Sequence, residues 1–127
     1  MIEVTVKDII EGSEQMRYLM DVFLKSSVAY KVARLAREME RELKTFDETR
    51  TRLIHKYGKK DENDELIIDD NGQYTIEPDK IQDFNNEINE IFNTKVELNA
   101  TAIKLSELDD CKLSPKKMVQ LMPFIEE

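Results

Sequence analysis

Carboxylates are the residues here most able to do chemistry. Eleven of them fall between Asp61 and Glu90, with Lys80 the single cation among them. The densest stretch holds Asp61, Glu62, Asp64, Glu65, Asp69 and Asp70, a spacing that invites comparison with a calcium loop. Such a loop takes oxygen ligands at alternate positions, a glycine sixth and a bidentate glutamate twelfth. Counted from Asp61, Asn63 and Glu65 fit, but Leu66 stands sixth and Gly72 twelfth. Both diagnostic positions fail, and Asp69 and Asp70 beside Asn71-Gly72 read as turn residues. The six acids are therefore candidate partner-binding residues for a basic surface on another protein, against the plainer reading of a solvated face.

Other chemistries lack their residues. One histidine, His55, and one cysteine, Cys111, do not make a zinc cluster or a nucleophile–base arrangement within one chain. Three scattered glycines do not build a phosphate loop. Glu38, Glu40 and Glu42 alternate with Arg37 and Arg41, as surface ion pairs on a helix do. The expectation is a chain with no catalytic residues, no metal and no cofactor, and not an enzyme.

The elements that carry these residues follow from periodicity. Val28, Val32, Leu35, Met39, Leu43, Phe46, Arg50, Leu53 and Tyr57 recur at about 3.6 residues, which predicts one long amphipathic helix ending at Gly58. Its core face is expected to include Leu35, Leu43, Phe46 and Leu53. A shorter helix over residues 6–24 precedes it, with Thr5-x-x-Asp8 as a capping signal and Ile9, Ile10, Met16, Leu19, Met20 and Phe23 near helical spacing. Gly12 weakens its early turns. Residues 66–69 and 73–76 flank Asn71-Gly72, which predicts a β-hairpin with a type I′ turn. Pro78 opens a short helix bearing Ile81, Phe84, Ile88, Ile91 and Phe92. Val96 and Leu98, then Ile103 and Leu105, alternate as two strands. Ser114-Pro115 caps a last short helix with Met118, Leu121 and Met122. No internal repeat is read. The class is α+β: a long helix packed with a shorter N-terminal one, a small antiparallel sheet and two short helices.

Size and charge add bounds. At 127 residues the chain reads as a single domain, 1–127, with a helical segment over residues 1–58 and an acidic α+β segment over residues 59–127. The helical segment has 11 Lys/Arg against 10 Asp/Glu, the acidic one 8 against 17. So acidic a second half is a poor coat for nucleic acid. No basic flank or long apolar run marks a signal peptide or membrane span, so an intracellular, soluble chain is expected.

Several stretches share the wording of a known group. They are Ala29-Tyr30-Lys31-Val32-Ala33-Arg34-Leu35, Arg52-Leu53-Ile54-His55-Lys56-Tyr57-Gly58 and Lys60-Asp61-Glu62-Asn63-Asp64-Glu65. To these add Asp70-Asn71-Gly72-Gln73-Tyr74, Val96-Glu97-Leu98, Ile103-Lys104-Leu105-Ser106-Glu107-Leu108, Leu113-Ser114-Pro115 and Phe124-Ile125-Glu126-Glu127. Over residues 26–127 the chain resembles a family of small uncharacterised proteins of phages and prophages of Gram-positive bacteria. The resemblance implies a viral protein acting in the host cytoplasm and carries over no site residues. Two roles are expected to compete. One is an accessory protein that binds a host or phage protein and modulates a defence or nucleic-acid-processing factor. The other is a morphogenesis protein of head, connector or tail, whose long apolar stripe can drive homo-oligomerisation.

Overall fold

A computed structural model describes residues 1–127. The class is α+β, and the chain divides into two compact units, Met1–Leu43 with Asn93–Glu127, and Lys44–Phe92. These bounds differ from the 58/59 division suggested by charge, because one helix supplies both units.

In the first unit, β1 (Ile2–Thr5) runs into α1 (Val6–Met20). Thr5 is the hinge between them. Its Oγ1 accepts the Asp8 amide at 3.1 Å, and the Asp8 carboxylate accepts the Thr5 amide at 3.0 Å, which is the expected capping box. The helix stops at Met20 rather than continuing to 24. Phe23 consequently lies in the link to the next helix, wholly exposed, and Met20 is half exposed. α2 (Ser26–Tyr57) follows, and its opening turns bury Val28, Val32, Leu35 and Met39.

The rest of this unit comes from the chain's end. β2 (Lys95–Leu98) pairs antiparallel with β1, setting Ile2 opposite Leu98 and Val4 opposite Val96. The expected second strand is shortened to β3 (Ile103–Lys104), because Leu105 opens a 3-10 turn over Leu105–Leu108. α4 (Pro115–Leu121) is capped as predicted, with Ser114 Oγ accepting the Lys117 amide at 3.3 Å. A further 3-10 turn leads to β4 (Ile125–Glu126), which pairs parallel with β3. Ile9, Met16 and Leu19 of α1, Leu35 and Met39 of α2, and Leu98, Ile103, Leu121 and Phe124 share one core. Buried side chains of this size stabilise by about 1.5–3 kcal/mol each relative to exposure. Gly12 belongs to that core: a Cβ there would come within 2.6 Å of Phe124 Cε2 and 2.9 Å of the Gln120 carbonyl. Three residues on, Gln15 Nε2 donates to Gln120 Oε1 at 2.9 Å.

The second unit begins with the remainder of α2, whose Leu53 and Ile54 are buried while Phe46 is half-buried. Gly58 ends the helix, its amide donating to the Ile54 carbonyl at 2.7 Å. Glycine is required because a side chain would meet that carbonyl and Leu66. Three short arms follow, 58–60, 66–68 and 74–76. The expected hairpin is present, with Ile68 opposite Tyr74, and Lys60 opposes Leu66 in the same way. Gly58 also opposes Ile76, so the arms close on themselves. The Lys59 amide donates to the Thr75 carbonyl (2.7 Å), Thr75 to Ile67 (3.2 Å) and Ile67 to Lys59 (2.9 Å), a ring of three hydrogen bonds.

This ring corrects the reading of no repeat. Asp61, Asn63 and Glu65 in the first turn take the places of Asp69, Asn71 and Gln73 in the second, eight residues on. The turn type is corrected too. Gly72 has φ +76° but Asn71 is not left-handed, whereas a type I′ turn needs both. α3 (Ile81–Phe92), entered through Pro78–Lys80, packs Phe92 on Phe46 at 5.7 Å and Phe84 edge-on to Tyr57 at 6.3 Å.

Candidate functional site

The six acids singled out from the sequence separate into two kinds. Asp61 Oδ1 accepts the amides of Asn63 (2.8 Å) and Glu65 (3.1 Å). Asp69 Oδ1 accepts those of Asn71 and Gln73, each at 2.9 Å. These two carboxylates hold their own turns, as aspartate does at the head of an Asx turn. Glu62, Asp64, Glu65 and Asp70 are exposed and head no turn. Asp64 lies 3.8 Å from Lys60 and has φ +62°, the left-handed region where glycine is usual. The two turns close opposite ends of the Leu66–Ile68 arm, so the six do not form one cluster. No group of three or more His, Cys, Asp or Glu converges to hold a metal ion.

Elsewhere in the second unit, Lys56 Nζ sits 4.9 Å over the Tyr57 ring and 3.4 Å from Glu87. Its hydrogen bonds to Tyr57 and Glu87 hold the ammonium pKa above its ordinary value. His55 is exposed near the helix end.

Three surfaces of the first unit lie apart from the six acids. Glu107 accepts the Lys104 amide (2.8 Å) and the Lys31 ammonium (2.9 Å), which together hold its carboxyl below the usual glutamate range. Leu105, Met118, Met122, Ile125 and Glu127 line a largely apolar groove of 310 Å³. Tyr30, Ala33, Arg34, Arg37, Glu38 and Arg41 line a groove of 220 Å³ on α2. The signal for the last was legible: cations at 34, 37 and 41 step by three and four, as one helix face requires. Cys111 is half-buried, and burial followed by the charge of Asp110 raises its thiol pKa.

Comparison with known proteins finds no family model that matches the chain, and no matching curated protein or solved structure. No helix is long and apolar enough to cross a membrane.

Proposed function

We propose that this chain is a non-catalytic phage accessory protein that works in the host cytoplasm by binding a protein with a basic surface, modulating a host defence or nucleic-acid-processing factor. The viral assignment rests on the resemblance carried by residues 26–127. The binding mode rests on one observation: Asp61 and Asp69 are committed to their turns, which leaves Glu62, Asp64, Glu65 and Asp70 exposed on backbone that is already ordered. Charges held on an ordered surface lose less entropy on docking and steer encounter with an opposite charge.

A second reading, a morphogenesis protein of head, connector or tail, is favoured by the apolar groove of Leu105, Met118, Met122 and Ile125. Met122 is exposed and Met118 half-buried, and methionine side chains form adaptable contact surfaces. The test compares two baits in lysate of a Gram-positive host at low salt: the natural chain, and one carrying Glu62→Gln, Asp64→Asn, Glu65→Gln and Asp70→Asn. A host protein held by the first and released by the second supports the accessory role. Recovery of the chain in purified virions, with no charge-dependent host capture, supports the second reading.

A further inference from the structure

The molecule carries an electrostatic complement to its own acidic turns. Tyr30, Arg34, Arg37 and Arg41 lie along one face of α2, in the groove described above. Arg34 Nε donates to the Asn99 carbonyl at 2.9 Å, which anchors the guanidinium and leaves its terminal N–H groups for another acceptor. Arg37 is exposed and enters none of the ion pairs of the chain. Arg41 pairs with Glu38 at 3.4 Å, so three guanidinium groups face one carboxylate in this groove. Tyr30 adds a ring that is 67% exposed.

Charge decides the occupant. A nucleic acid needs a basic stripe that continues along its backbone. Here the same helix face meets Ser26 and Ser27 at one end and Lys44, Thr45 and Glu48 at the other, so the basic run stops within one further turn, on a chain of net charge −8. A short acidic protein segment suits a groove of this extent, and guanidinium pairs well with carboxylate. The Asp61–Glu65 turn is such a segment, with four acids in five residues.

We infer that the Tyr30–Arg34–Arg37–Arg41 groove of one copy receives the Asp61–Glu65 turn of a second copy. This rests on the reading of the acidic turns as a protein-binding surface. The two surfaces differ, so the contact is head-to-tail: each copy offers both a groove and a turn, and association continues beyond a pair unless a ring closes.

The test is sedimentation velocity on the full chain at about 0.02 M and about 0.5 M salt, which spans strong to weak screening. The natural chain associates at low salt and is monomeric at high salt. Arg34→Glu with Arg37→Glu weakens association at least about tenfold, Arg37→Glu alone acts in the same direction, and Glu62→Lys with Asp64→Lys matches the double arginine variant. Circular dichroism checks that each variant is folded. An equimolar mixture of the two double variants associates again, because a natural turn then meets a natural groove and a reversed turn a reversed groove. A monomer at low salt, association untouched by Arg37→Glu, or a mixture that stays monomeric overturns the inference. So does a monomeric chain whose arginine groove instead retains RNA. The neutralised bait keeps the two proposals apart. Charge-dependent capture of a host protein by a monomeric chain sinks only self-association. Turn-dependent self-association without host capture sinks only the host-factor reading.

Discussion

The Phe124 ring lies where a side chain on Gly12 would begin, 2.6 Å from the position a Cβ would take. The contact joins α1 to the turn after α4 and explains a glycine that otherwise only weakens its helix. On intrinsic propensity, alanine at this position would gain about 1 kcal/mol. The structure predicts the opposite sign for Gly12→Ala. The ring could shift, but the Gln120 carbonyl 2.9 Å away is backbone, and overpacking of this kind costs about 1–3 kcal/mol. A lowered urea midpoint checks this; a raised one would show that α4 yields freely.

Leu35 and Leu43 stand on the same predicted stripe of α2, yet Leu35 is wholly buried and Leu43 only half-buried. Leu35→Ala should cost about 3–5 kcal/mol and Leu43→Ala clearly less. Equal shifts of the unfolding midpoint would place Leu43 in the core as the periodicity alone suggested.

Much of this architecture was legible because its signals are local. The capping pair Thr5 and Asp8, the Ser114 cap and the 3.6-residue stripe of α2 each declare themselves within a few turns of chain. What escaped depends on distant partners. Ile2 and Val4 form a strand only because Val96 and Leu98 lie opposite, and Ile125 pairs with Ile103 through a two-residue contact too short to leave a pattern. Phe23 continues the helical spacing in the sequence, but the helix ends at Met20 and leaves the ring exposed. The acids were found by composition. Their division into turn locks and exposed charges was not, although Asp-x-Asn recurs eight residues apart at 61–63 and 69–71.

The two kinds of acid should respond differently to replacement. Asp69→Ala leaves the Asn71 and Gln73 amides without their acceptor and should cost about 1 kcal/mol. Asp70→Asn, at an exposed position, should stay within about 0.5 kcal/mol of the natural chain. Chemical denaturation of both, under one set of conditions, decides it. Equal costs would remove the distinction on which the binding surface is drawn.

Glu107 gives a pH signature. The Lys104 amide and then the Lys31 ammonium favour its ionised form, so its folded pKa is depressed. The contribution is present above the ordinary glutamate range and is lost as pH falls through the lower folded value. Glu107→Gln should therefore lower the urea midpoint at pH 7, and the gap from the natural chain should close on acidification below about pH 4. A gap that stays constant from neutral to acid pH would show that the carboxylate contributes no ionisation-linked stability.

The central claim is that exposed charge on ordered turns drives binding, and the association rate tests it most directly. The measurement takes the host protein captured by the natural chain and follows its association with that chain and with the variant carrying Glu62→Gln, Asp64→Asn, Glu65→Gln and Asp70→Asn, across a salt series. Asp61 and Asp69 are left intact because they hold the turns. The account predicts a rate that falls with salt for the natural chain, a slower rate for the variant at low salt, and convergence of the two at high salt. Equal rates at every salt concentration would contradict it and assign binding to the apolar groove of Met118 and Met122.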